Sequence, residues 1–106
     1  MTNKYIVYTM QSDGFIHFEW DTSKEWANFN KHGLMFTDVL GLWEDPLAIE
    51  FCDDIYGDES RFLRRGFNET GLFVVVVFTE RETDIIRIIS ARLGTLKERR
   101  IHEGRV

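Results

Sequence analysis

The chain has 106 residues, 43% of them apolar and 14% aromatic, with one proline and a formal net charge of −5. That length suits one small domain spanning 1–106, and that composition excludes intrinsic disorder. The longest apolar run, Leu72 to Phe78, falls far short of a membrane span, and the single cysteine, Cys52, excludes an internal disulfide or a cysteine-based metal site.

The first segment reads as extended. Tyr5 to Tyr8 is β-prone, Gln11 to Gly14 is turn chemistry, and Phe15 and His17 alternate against Ile16, Phe18 and Trp20. Residues 1–12 are therefore expected to be an extension or an added strand ahead of the domain proper at 13–106. This N-terminus lacks the long apolar segment and cleavage site of a signal peptide, so a cytoplasmic, membrane-free protein is expected. Asp21 or Thr22 then caps a helix, with Glu25 completing a capping box, and Gly33 stops it. Trp26, Phe29 and Asn30 share one face of it. Thr37 and Asp38 open a second short helix, which Asp45-Pro46 ends.

After Pro46 the apolar period changes from 3.6 to 2. Strands are expected at Leu47–Cys52, Arg61–Phe67, Leu72–Thr79 and Ile85–Ala91, with a hairpin turn at Asn68–Gly71. Thr95 to Glu98 is a capping box opening a terminal helix. The fold class that follows is α+β: a small antiparallel sheet formed by a four-stranded meander, with two N-terminal helices and one C-terminal helix.

Charge is unevenly distributed. Residues 1–53 hold three Lys/Arg and nine Asp/Glu, whereas residues 54–106 hold ten and nine, and nine of those ten cations are arginine. Arginine grips phosphate through a planar two-pronged donor set, so the cluster points to anion recognition. Centring the hairpin turns on Glu69/Thr70 and Glu82/Thr83 puts Arg61 opposite Phe78, and Phe78 opposite Arg87. One face then carries Arg61, Arg65, Arg87, Val74, Val76 and Phe78, and the other carries Phe62, Phe73, Val75, Val77, Ile86 and Ile88.

Three guanidiniums on one face, with Glu59 just before Arg61, suit RNA cleavage without a metal. The ribose 2′-OH needs a proton acceptor, the phosphorane needs fixed cations, and the leaving oxygen needs a proton. Phe78 is the expected base-stacking residue. A structural ion pair between Glu59 and Arg61 is the plainer alternative. The three histidines have no metal-ligand spacing, the acidic run Asp53 to Glu59 misses the calcium-loop pattern, and no phosphate-binding glycine loop is present, so no cofactor or metal is expected. Cys52 reads as a small core filler.

Phe18-Glu-Trp-Asp21, with Lys24, Asn28, Lys31-His-Gly33 and Phe36, resembles the opening of the BrnT family of toxins. Asp45-Pro46, Tyr56-Gly57, Glu59, Arg61-Phe62, Gly66, Val74 to Thr79 with Arg81, and Ile86 to Arg92 followed by Glu98-Arg99 continue the resemblance over about residues 15–103. It implies a RelE-like fold and a ribonuclease toxin of a type II toxin–antitoxin system that inhibits translation. The implied partner is a BrnA-like antitoxin with a ribbon-helix-helix-like DNA-binding part, through which alone the toxin reaches operator DNA. The family's usual start falls near Met10, and Leu93-Gly94 stands where it has Lys-Ala. On this basis Arg61 and Arg87 are expected to hold the scissile phosphate, supported by Arg81 and Arg92, with Glu59 or His32 moving protons. Lys31, Arg65, Phe78 and Arg99 are the expected further RNA contacts. For His32 and Lys31, at a helix end, capping is weighed ahead of catalysis. The competing reading is a catalytically degenerate module that acts with its antitoxin as a corepressor.

Overall fold

The structure, a computed structural model, describes residues 5–11, 15–56, 59–82 and 84–104. The expected meander is present as β3 (Ile49–Tyr56), β4 (Glu59–Phe67), β5 (Phe73–Arg81) and β6 (Ile85–Leu93), each antiparallel to the next. Ahead of it, β1 (Tyr5–Gln11) and β2 (Phe15–Asp21) form a hairpin, and β2 joins the sheet parallel to β6. Among the described residues the sheet is therefore six-stranded, in the order β1-β2-β6-β5-β4-β3, and mixed rather than wholly antiparallel. The helices do not come first, because a strand pair precedes them. No helix among the described residues is long and apolar enough to cross a membrane.

Between β2 and β3 run α1 (Thr22–His32) and a 3₁₀ helix (Phe36–Glu44). Asp21 caps α1 by accepting from the Ser23 N–H at 2.8 Å, and Gly33 ends it at φ 75°, where a side chain would be strained. α1 buries polar residues rather than the apolar pair Trp26 and Phe29. Glu25 and Asn28 are buried, while Trp26 is 58% exposed. Glu25 is not part of a capping box. It accepts from Trp20 Nε1 at 3.2 Å and from the Phe36 N–H at 2.9 Å, tying β2 to the 3₁₀ helix.

Asn28 serves as a missing strand. β2 pairs with β6 only from Ile85 to Arg87. Farther along β6, the Asn28 amide donates to Ala91 O and accepts from Ala91 N, both at 2.9 Å, and also donates to Leu34 O at 3.0 Å. One side chain thus satisfies backbone groups that no strand reaches.

The core lies between one sheet face and residues 34–43. Phe18, Trp20, Val74, Val76, Phe78, Ile86, Ile88 and Ala91 meet Leu34, Phe36, Val39, Leu40 and Leu42 there. Trp43 packs edge-on against Phe18 at 5.0 Å and Phe78 at 5.2 Å, and Phe62 stacks on Phe78 at 5.7 Å. Cys52 is exposed, not a core filler. The 3₁₀ helix joins the sheet through Asp45, whose carboxylate accepts from the Leu47 and Phe67 N–H groups, and through the Asn68 amide, which donates to Asp38 O.

Replacing Asn28 by Ala strands three buried backbone groups. Unpaired buried groups of this kind are destabilising by ~1–3 kcal/mol. Urea unfolding of Asn28→Ala should show a lower midpoint at an unchanged slope.

Candidate functional site

The register determines what the second sheet face displays. Phe62 lies opposite Phe78, and Thr79 opposite Arg87, so β4 and β6 are each displaced by one residue from the expected pairing with β5. Both connections have odd length: Phe67 pairs with Phe73, and Arg81 with Ile85. The first is built by Asn68, whose Oδ1 accepts from the Thr70 and Leu72 N–H groups, with Gly71 at φ 84°. In the second, Glu82 takes φ 61°. Because the two displacements match, Arg61, Arg65 and Arg87 still share a face, but β5 is turned over between them. Val75, Val77 and Thr79 accompany the arginines, and Val74, Val76 and Phe78 point into the core.

Phe78 therefore cannot stack a base. It is fully buried on the opposite face from the arginines.

Beyond the Phe67–Phe73 pair at one end, three rows cross the arginine face. Ile49, Arg65, Val75 and Arg92 form one, and Phe51, Leu63, Val77 and Ser90 the next. Thr79, Arg87 and Glu19 lie in the third, where alternation along β4 also puts Arg61. Arg81, two residues beyond Thr79, extends the third row toward the sheet end. Val75 and Thr79 are nearly inaccessible on this face.

Most of these guanidiniums are held by carboxylates. Arg87 meets Glu19 Oε1 through NH2 at 3.1 Å and through Nε at 3.2 Å, and Arg81 Nε lies 3.5 Å from the same oxygen. Glu19 thus gathers two arginines from different strands. It is the functional-site residue that sequence reasoning missed, although its alternation with Phe18 and Trp20 already put it on the face away from the core. Thr79 Oγ1, buried beside this cluster, has no hydrogen-bond partner among the described residues.

Glu59 opens β4 and is exposed. With Ser60, Phe62, Thr79, Glu80 and Arg81 it lines a cleft of ≈ 340 Å³ at the sheet end. His32 and Lys31 sit in the last turn of α1, beside Ile89 and Ser90 of β6, in a second cleft shared with Lys24 and Asn28. The two proton-transfer candidates thus flank the arginine face from opposite sides. Arg99 lies over the Phe67 ring at 5.2 Å, at the far end of the same face, and pairs with Glu103 at 3.5 Å.

Arg92 is committed differently. Its guanidinium donates to both Glu98 oxygens, at 2.8 and 3.0 Å. Glu98 also accepts from the Thr95 N–H while Thr95 Oγ1 accepts from the Glu98 N–H, so the expected capping box opens α2 (Leu96–His102). His102 then packs on Phe73 and Phe67. Gly94 is required at the approach, because a Cβ there would stand 2.2 Å from the Phe73 ring. The Arg92 hydrogen bonds, with that of Thr95, push the Glu98 carboxyl down to about 2, and the same pair raises Arg92.

The protein is a small α+β domain whose mixed sheet has one face buried in the core and guanidiniums on the other. The family described as "ribonuclease toxin, BrnT, of type II toxin-antitoxin system" matches residues 20–98, most of the chain, and the protein belongs to this BrnT family. The fold is similar to the crystal structure of the Brucella abortus ribonuclease toxin BrnT, at 28% sequence identity and a TM-score of 0.58, covering 72% of this chain and 92% of that one. No curated protein matches the sequence.

The Arg92–Glu98 pair makes the docking of α2 pH-dependent. A carboxyl lowered from 4.5 to about 2 contributes its full stabilisation above pH 4.5 and loses it as pH falls through about 2. Protection of the α2 amides, taken relative to the intrinsic exchange rate at each pH, should fall over that window, and Glu98→Gln should show low protection already at neutral pH.

Proposed function

We propose that this chain is a metal-independent endoribonuclease of a type II toxin–antitoxin system, and that it cleaves RNA on the arginine face. In this reading Arg61 and Arg87 bind the scissile phosphate and neutralise the phosphorane, while Arg81 and Arg92 support from the sheet ends. Glu59 accepts the proton of the ribose 2′-OH. The 2′-oxygen then attacks phosphorus, the bond to the 5′-oxygen breaks, and a 2′,3′-cyclic phosphate and a 5′-hydroxyl result. His32, on the opposite flank, serves the leaving oxygen. Fixed guanidiniums supply the charge stabilisation that the transition state requires.

The observation that carries this reading is the sharing of one sheet face by Arg61, Arg87 and Arg81, with the exposed carboxylate of Glu59 beside them. The family's association with ribonuclease toxins supports the choice of RNA over other anions. The implied neutralising partner is a BrnA-like antitoxin, and operator DNA is reached only through it.

Purified protein should cleave an RNA oligonucleotide in EDTA, leave cyclic phosphate ends, and spare a 2′-deoxy substrate. Arg61→Ala and Arg87→Ala should each lower cleavage by ~10²–10³, as when a charge-stabilising donor is lost. Folded variants that cleave like wild type would sink the assignment.

A further inference from the structure

The middle row of the arginine face carries no charge. On β3, alternation turns Ile49 and Phe51 to the same side as Leu63 and Arg65, because Ile49 pairs with Arg65, and Phe51 with Leu63. Phe51 and Arg65 are thus diagonal neighbours, close enough for their side chains to act together. Phe51 is 43% exposed on this outermost strand, although a phenylalanine on a sheet is ordinarily covered.

Arg65 differs from the arginines around it. Arg64 is held by Glu50 at 3.1 Å, Arg81 and Arg87 by Glu19, and Arg92 by Glu98. No carboxylate pairs with Arg65 among the described residues, and its Nε is shielded from solvent without a hydrogen-bond partner. A cation left uncommitted beside an exposed aromatic ring has the composition of a single-strand nucleic-acid contact, in which the ring stacks a base and the cation takes a phosphate.

We propose that Phe51 and Arg65 form a nucleotide subsite beside the cleavage centre, with the Phe51 ring stacking one base of single-stranded RNA and the Arg65 guanidinium binding a neighbouring phosphate. The proposal rests on the ribonuclease reading above and extends it to how the substrate is held. Arg61 and Arg65 are four residues apart on β4, about 13 Å along the strand at ~3.3 Å per residue. RNA lying across both therefore passes over the apolar middle row. The occupant is a single strand, since a duplex keeps its base faces stacked on one another and offers none to the ring.

The test is binding of a 2′-O-methyl RNA oligonucleotide, which cannot be cleaved, to wild type and to Phe51→Ala, Phe51→Leu, Phe51→Trp and Arg65→Ala. Thermal unfolding of each variant confirms the fold. Loss of one stacked base should weaken binding by ~5- to 100-fold in Phe51→Ala, and Phe51→Leu should stay weak while Phe51→Trp binds at least as tightly as wild type. Arg65→Ala should weaken binding and flatten the salt dependence by ~0.7 in the log–log slope, the loss of one phosphate contact on a single strand. With cleavable RNA, Phe51→Ala should raise KM more than it lowers kcat. Wild-type affinity in Phe51→Ala, or full recovery in Phe51→Leu, overturns the subsite while leaving the cleavage centre intact. Unchanged RNA affinity with lost antitoxin binding assigns the row to a protein partner and likewise overturns it. A wild-type protein that neither binds nor cleaves RNA overturns both readings.

Discussion

The inward turn of Phe78 governs the rest of the molecule. Its ring is held between Phe62 and Trp43 and is wholly buried. Once it points inward, strict alternation sends Val77 and Thr79 outward, and the ladders to β4 and β6 send Arg61, Arg65 and Arg87 with them. A one-residue slip in a single ladder would drive Arg61 and Arg65, or Arg87, toward the apolar core and turn Phe62 or Ile88 out of it, a large penalty for a sheet with one buried face. The apolar core thus specifies the position of the charges more strictly than any interaction among the charges does.

The same logic explains what was legible in the sequence. The change of period after Pro46 located all four meander strands, and the capping residues located α1 and α2, because these signals are local. The arginine face was legible because Arg61, Arg65 and Arg87 share parity with one another through any pair of matched slips. The face of β5 was not: Leu72 to Phe78 is apolar at every position, so its pattern holds no information about which half points inward. The parallel pairing of β2 with β6 was equally hidden, since no turn connects the two strands. In α1 the apolar residues do not mark the buried face. Glu25 and Asn28 are buried to satisfy backbone and indole groups supplied by distant segments, and those demands do not appear in the helix's own sequence. Glu19 was overlooked for a related reason, because its partners Arg81 and Arg87 lie more than sixty positions away.

Several guanidiniums on one face repel one another unless something intervenes. Glu19, only 18% exposed, sits between Arg81 and Arg87 and cancels part of that repulsion while fixing the direction of both. A phosphate arriving at this cluster competes with an existing carboxylate, which favours ligands that carry more than one negative oxygen or that gain contacts elsewhere. Glu98 holds Arg92 in the same manner, but its position in a capping box binds it to the architecture of α2. The carboxylates therefore differ in kind: Glu19 orients cations at an open face, and Glu98 fastens a helix to the sheet.

A protein with net charge −5 is an unpromising ligand for a polyanion if charge is taken as a single sum. Interactions between solvent-exposed charges decay over ~8 Å at physiological ionic strength. Glu50, on the core side of the sheet, is moreover paired with Arg64. What an approaching strand meets is the local composition of the arginine face, where Glu19 is already neutralised and an apolar row separates the cations. The sum over the chain describes its solubility and its attraction for basic partners, whereas the sheet's alternation decides where it can hold a phosphate.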